Sequence, residues 1–224
     1  MIEAIIVAGG RGERMGGVYK QFSLLGNKPV FLYSLERFIE YGVNSVILVV
    51  PKEKVSFVKE LVEEFREKVK VVVGGERRQD SVYSGFKESS GELILIHDAV
   101  RPFVSVDIIR EVVEGVKKVG ICAPGIPVKD TLKLYKKDEI LWTLERRNLL
   151  QVQTPQGFRR EILKEIVDLY SKYSFTDELA FAERLNYKIC WVKGDPMNIK
   201  ITYQDDMELA KAILEYRKNY GNKF

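Results

Sequence analysis

Residues 3–21 read EAIIVAGGRGERMGGVYKQ. Glu3 to Val7 have the character of a buried strand, and five glycines, two arginines and a lysine crowd into the stretch behind it. Glycines that follow a strand let backbone N–H groups approach a bound phosphate or base closely. Guanidinium and ammonium groups beside them supply positive charge. The chemistry this implies is capture of a phosphorylated ligand. Counting excludes two familiar phosphate loops. GxGxxG started at Gly10 meets Met15 where its last glycine belongs, and a Walker pattern started at Gly12 reaches Gly17 but meets Val18 where its lysine belongs.

Such a loop needs a rigid frame. SVILVV (45–50), VKVVV (69–73) and ELILIH (92–97) are β-rich runs with little alternation, as in strands covered on both faces. Amphipathic helices are predicted between them. Phe31, Leu32, Leu35, Phe38 and Ile39 share one face of a helix with Pro29 in its first turn and Gly42 at its stop, and Val55, Val58, Leu61, Val62 and Phe65 repeat the spacing. Ser105 is placed to cap a helix carrying Ile108, Ile109, Val112, Val113 and Val116. The pattern predicts one α/β domain over residues 1–224, with a doubly wound, mostly parallel sheet. Ligands in such sheets sit outside the carboxyl ends of the strands, which puts the loops after Val7, Val73 and Ile96 on one rim. Residues 128–153, VKDTLKLYKKDEILWTLERRNLLQVQ, break the rhythm and read as a projecting hairpin. This β-arm, at about 128–150, carries Leu132, Leu134, Ile140, Leu141 and Trp142 away from the body, and a second copy of the chain is the predicted cover.

Composition narrows the function classes. A hydrophobic fraction of 46% excludes a disordered chain, and 224 residues suit one large α/β domain. The net charge of +4 comes from interspersed Lys and Glu rather than the basic stripe of a nucleic-acid binder. No apolar run approaches the roughly 20 residues that span a bilayer. The N-terminus enters a strand at once, unlike a signal peptide. A cytoplasmic protein with neither membrane nor nucleic-acid partner is expected. Cys122 and Cys190 have no CxxC or clustered His beside them and are expected to be small buried hydrophobes.

AGGRGERM followed by KQF resembles the signature loop of sugar-nucleotide and polyol-phosphate nucleotidyltransferases. GGERRQDSV (74–82), IHDAVRPF (96–103), VQTPQGF (152–158), FTDE (175–178) and DPMNIKIT (195–202) follow in order. Together they resemble the 2-C-methyl-D-erythritol 4-phosphate cytidylyltransferases of non-mevalonate isoprenoid synthesis, over nearly the whole chain. The sequence departs from that pattern at Tyr19, where family members commonly carry a proline before the loop lysine. The resemblance implies a Rossmann-like nucleotidyltransferase fold, a homodimer that exchanges arms, and transfer of CMP from CTP, with Mg²⁺, to a polyol phosphate. The acceptor phosphate is already largely dianionic at neutral pH, its second pKa being about 6, so no general base is required. Two anions must instead be brought together by preorganised cations.

Roles follow from the same resemblance. Arg14 and Lys20 would hold the triphosphate. Ala8, Gly9, Gly10 and Gly12, with Gly75 and Ser81, would cradle the nucleotide. Asp98 would bind acceptor hydroxyls or help place Mg²⁺, Arg101 would bind the acceptor, and Lys200, in a strand ending near the site, would neutralise its phosphate. Thr131 and Arg146 match arm residues that reach the partner's acceptor; Arg147 is adjacent, but counting back from Thr154 favours Arg146. Thr154 and Thr176 would donate hydroxyl hydrogen bonds to the acceptor. Thr176 also fits a helix N-cap, Asp177 a helix-start charge, and His97 a strand-end residue bonded to backbone rather than a base. Ribitol-5-phosphate cytidylyltransferases share nearly all these motifs, and a non-catalytic nucleotide-binding regulator is the alternative from another class.

Overall fold

The computed structural model describes residues 1–10 and 19–220. Gly12 and Arg14 lie outside the described residues. In chain order the strands are β1 (Ile2–Val7), β2 (Leu24–Leu25), β3 (Lys28–Pro29), β4 (Ser45–Val50), β5 (Val69–Val73), β6 (Leu93–Asp98), β7 (Ile121–Pro127), β8 (Lys133–Lys136), β9 (Glu139–Thr143), β10 (Leu150–Val152), β11 (Gln156–Arg159) and β12 (Cys190–Lys193). The helices are α1 (Val30–Tyr41), α2 (Val55–Leu61), α3 (Arg78–Glu88), α4 (Val106–Val119), α5 (Arg160–Asp168), α6 (Glu178–Arg184) and α7 (Gln204–Tyr220).

The apolar strands alternate between two cores because successive side chains leave a strand on opposite faces. Ala4 and Ile6 of β1, Val46, Leu48 and Val50 of β4, and Leu93 and Leu95 of β6 pack on the side of α1 and α4. Ile5, Ile47, Val49, Ile94 and Ile96 pack on the other side with α3, α5 and α6. Both faces being covered, neither side of these strands carries a polar stripe. The helix signals read from sequence are in place. Gly42 takes φ 90° at the end of α1, and the Ser105 hydroxyl accepts from the Ile108 N–H at 3.2 Å to cap α4. Pro29 precedes α1, as its N-cap residue, rather than entering its first turn.

The sheet is mostly parallel, as expected, but mixed. β6, β1, β4 and β5 form a parallel half. β11 lies between β6 and β7 and is antiparallel to both, β10 is antiparallel to β7, and β12 is parallel to β7. The connection explains this: the chain passes from β7 through the arm into β10 and β11 with no crossover helix, and a strand returning that way runs antiparallel. The arm itself is the β8–β9 hairpin, whose strands pair only with each other among the described residues. Tyr135 is 71% exposed and Trp142 56%. Among the described residues no helix is long and apolar enough to cross a membrane.

Helix α4 lies close to the β7–β12 edge. Cys122 and Cys190, both free thiols, are opposed in register there, and both sulfurs face Gly115. A Cβ on Gly115 would fall 2.3 Å from the Cys122 Sγ and 2.7 Å from the Cys190 Sγ. Gly115→Ala is therefore expected to destabilise the fold by about 1–3 kcal/mol. Urea unfolding measures this, and an unchanged midpoint would contradict the close packing.

Candidate active site

The register of the parallel strands places Val7 beside both Val49 and Asp98, so the loops after β1 and β6 leave the sheet side by side. A cavity of about 400 Å³ opens there, walled by residues 8–10, residues 75–78, Asp98 and residues 200–202. Buried Ser81 stands between the two glycine turns. Its Oγ accepts from the Gly75 N–H at 3.2 Å, and a Cβ on either Gly9 or Gly74 would come within 2.8 Å of that oxygen. Glycine is needed at both positions because the turns close on one hydroxyl. Gln21, quoted in KQF but given no role from sequence, fixes the first turn by donating to the carbonyls of Ala8 at 2.6 Å and Gly10 at 2.9 Å.

Two lysines from opposite ends of the chain meet at this cavity. Lys20 lies in a short 3-10 turn after the glycine loop, and its Nζ donates to the Thr202 carbonyl at 2.6 Å. Lys200 lies two residues before Thr202 and also lines a second cavity of about 340 Å³, which Arg101 borders. Lys200 is not in a strand, contrary to expectation: β12 ends at Lys193, and residues 199–202 have no regular secondary structure. Tertiary packing holds that segment. Ile201 is fully buried under α7 beside Leu25, Phe103 and Met207, and its N–H donates to the Val100 carbonyl at 2.9 Å.

Asp98 is the electrostatic centre. Its Oδ1 accepts from Arg78 Nε at 3.1 Å, its Oδ2 accepts from Lys200 Nζ at 2.8 Å, and Arg101 Nε lies 3.8 Å from Oδ2. Burial by itself would raise the Asp98 carboxyl, but Arg78, Lys200 and Arg101 together hold it well below the usual carboxylate range. Arg78 also donates to both oxygens of Glu178, at 2.7 and 2.9 Å, and these two carboxylates outweigh burial and push its guanidinium above the ordinary arginine value. Sequence reasoning missed Arg78 and Glu178. Both sit in quoted motifs, but spacing cannot show which of Arg77 and Arg78 turns inward. Arg77 pairs with Asp80 at the surface.

A chain of hydrogen bonds fixes the Asp98–Arg101 turn. The Asp98 N–H donates to Thr154 Oγ1 at 3.2 Å, and Thr154 Oγ1 lies 2.9 Å from His97 Nδ1. His97 Nε2 is 3.2 Å from the Arg101 carbonyl. That carbonyl only accepts, so Nε2 carries the proton, Nδ1 accepts, and Thr154 donates to it. Ser34 Oγ donates to the same carbonyl at 3.1 Å. Thr154 is 4% exposed with its hydroxyl engaged in this chain, so its geometry supports positioning Asp98 rather than donation to an acceptor. Thr131, Arg146 and Thr176 are exposed and line neither cavity of their own chain. Arg146 donates to the Lys129 carbonyl, and Arg147 pairs with Glu145. The cap of α6 is Asp177, not Thr176: the Asp177 carboxylate accepts from the Ala180 N–H at 3.2 Å, the three-residue reach a cap requires. The suggestion of Asp98 as a magnesium ligand does not fit. Both its oxygens are engaged by cations, and a metal ion would enter a cluster of like charge. Among the described residues no three His, Cys, Asp or Glu side chains stand together to hold a metal.

Two glycine turns closing on Ser81 at the end of a parallel half-sheet, with Lys20 and Lys200 lining one cavity beside them, suit a nucleotidyltransferase. The family model of 2-C-methyl-D-erythritol 4-phosphate cytidylyltransferase matches residues 2–216. A protein of that name from Clostridium botulinum (strain Eklund 17B / Type B) is 38% identical over 225 residues, spanning 96% of this chain and 99% of its own length. One from Aquifex aeolicus (strain VF5) is 38% identical over 216 residues, spanning 96% and 98%. The crystal structure of 4-diphosphocytidyl-2C-methyl-D-erythritol synthase from Anaerococcus prevotii DSM 20548 superposes with a TM-score of 0.87 at 28% identity, covering 96% of each chain. The chain belongs to the 2-C-methyl-D-erythritol 4-phosphate cytidylyltransferase family. Its activity is that of a cytidylyltransferase making 4-diphosphocytidyl-2-C-methyl-D-erythritol from CTP and 2-C-methyl-D-erythritol 4-phosphate. The ribitol phosphate and non-catalytic alternatives fall away with that assignment.

The hydrogen-bond chain carries a pH signature. Burial, opposed by Asp98, lowers His97 from 6.5 to about 4. Between those values the unfolded chain binds the imidazole proton and the folded chain does not. His97's contribution is therefore intact above pH 6.5 and lost as pH falls towards 4. Its full size is up to about 3 kcal/mol. Urea unfolding across that window should show His97→Gln losing stability less steeply than the unaltered protein; equal slopes would show that His97 does not titrate with folding.

Proposed function

We propose that CTP lies with its base and ribose on Ala8, Gly9, Gly10, Gly75 and Ser81, and that its triphosphate reaches Lys20 and Arg14. The acceptor's phosphate meets Lys200, with Arg101 close behind. A phosphate oxygen attacks the α-phosphorus in line, a new P–O bond forms, and pyrophosphate leaves. The nucleophile is already an anion, so no side chain removes a proton. What the protein supplies is fixed positive charge where negative charge accumulates. Mg²⁺ is expected to arrive on the CTP phosphates, since this ion is commonly bound through substrate phosphates with few protein ligands. A cytoplasmic location fits this reading.

The observation that carries the reading is the meeting of Lys20 and Lys200 at one cavity, with Lys20 held on the carbonyl of Thr202, two residues past Lys200. The arm extends it. Leu134, Tyr135, Ile140, Leu141 and Trp142 are exposed on a hairpin with no other sheet partner among the described residues, and a hairpin alone is marginal in water. A homodimer covering this arm would let Thr131 and Arg146, which line no cavity in their own chain, reach the acceptor held by the partner.

Pyrophosphate release tests the roles. Lys200→Ala and Arg14→Ala are each expected to lower kcat/KM by about 10² to 10³. Unchanged turnover in both would overturn the assignment. Replacing residues 132–146 by a short turn should give inactive monomers by light scattering, and an active monomer would refute a shared site.

A further inference from the structure

Arg78 has no part in the roles above, yet its surroundings give it one. Its guanidinium spans two carboxylates from separate elements, Asp98 at the end of β6 and Glu178 at the start of α6. Glu178 is 1% exposed and also accepts from the Tyr170 hydroxyl at 3.3 Å. The other oxygen of Asp98 accepts from Lys200 at 2.8 Å, and the Lys200 side chain is 40% exposed. Three cations, Arg78, Arg101 and Lys200, thus face two carboxylates, Asp98 and Glu178.

An ammonium has three donors, but one paired with a carboxylate at 2.8 Å offers a phosphate less net charge than one released from it. Lys200 can leave only if Asp98 remains compensated, because an isolated carboxylate in a buried site is strongly unfavourable. Arg101 does not suffice: its Nε is 3.8 Å away, and its NH1 donates to the Asn198 carbonyl at 2.9 Å. Arg78 alone, among these cations, keeps a direct hydrogen bond to Asp98 when Lys200 turns away. Resting on the reading that Lys200 meets the acceptor's phosphate, we infer that Arg78 is a positioning residue: it retains Asp98 while Lys200 transfers its ammonium from that carboxylate to the incoming phosphate.

Initial rates with each substrate varied separately test this, with Lys200→Ala run alongside. Arg78→Met leaves Lys200 as the nearest cation to Asp98, so the acceptor KM should rise about tenfold while the CTP KM changes less than about threefold. Arg78→Lys keeps the charge and should restore much of the loss; if the methionine variant does not fold, a rise of about threefold in the lysine variant carries the test, and no rise overturns the inference. Adding Asp98→Asn to Arg78→Met should lower the acceptor KM again, because no carboxylate then retains Lys200. Glu178→Gln, which relaxes the link to α6 but leaves the Arg78–Asp98 contact, should stay near the unaltered acceptor KM. Glu178→Gln matching Arg78→Met would make Arg78 a structural staple and overturn the inference. An unchanged acceptor KM in Arg78→Met beside a raised one in Lys200→Ala would overturn it too. An unchanged acceptor KM in Lys200→Ala would instead bring down the reading of Lys200 on which it rests.

Discussion

Asp98 is buried at the end of a strand whose neighbours are apolar, and its charge survives there only because Arg78, Lys200 and Arg101 reach it from three other points of the chain. The site depends on that compensation. Removing a carboxylate's partners inside a protein costs far more than removing them at a surface, so the elements that deliver those cations must arrive together. α3 delivers Arg78, the Asp98–Arg101 turn delivers Arg101, and the segment pinned by Ile201 under α7 delivers Lys200. The C-terminal helix, far from the glycine turns in sequence, is in this sense part of the site's foundation.

The hydrogen-bond chain through Thr154 and His97 serves the same constraint. It satisfies the Asp98 N–H and the Arg101 carbonyl inside the core and so fixes the turn between them without adding charge. The only histidine is spent on structure. That agrees with a reaction whose nucleophile is a phosphate already ionised at neutral pH. A cytidylyltransferase of this kind needs charge placed at fixed points, and glycine turns let backbone come close enough to share that work.

Much of the frame was legible from sequence because hydrophobic period and cap chemistry are local. The apolar runs at 45–50 and 69–73, the Ser105 cap and the Gly42 stop stand where those signals put them. The antiparallel β11 was not legible, since direction depends on whether a connection crosses the sheet. Nor was the cap of α6, where Thr176 and Asp177 both carry suitable oxygens and only the path of the chain selects Asp177. Thr154 was readable as part of a motif, but its hydroxyl turns inward to His97, which no spacing reveals.

By itself, the sequence determined the chemical class of the ligand, through glycine and cation density behind a strand, and the family, through motifs in a fixed order. It also determined that the arm would leave the body, because alternating apolar residues around KKDE suit no buried helix. Tertiary structure alone decided which cations share one carboxylate, that Arg78 rather than Arg77 points inward, and that Lys200 belongs to a packed irregular segment instead of a strand. The reason is physical. Periodicity and capping act over a few residues, whereas charge compensation acts through space between groups as far apart in the chain as Arg78, Asp98 and Lys200.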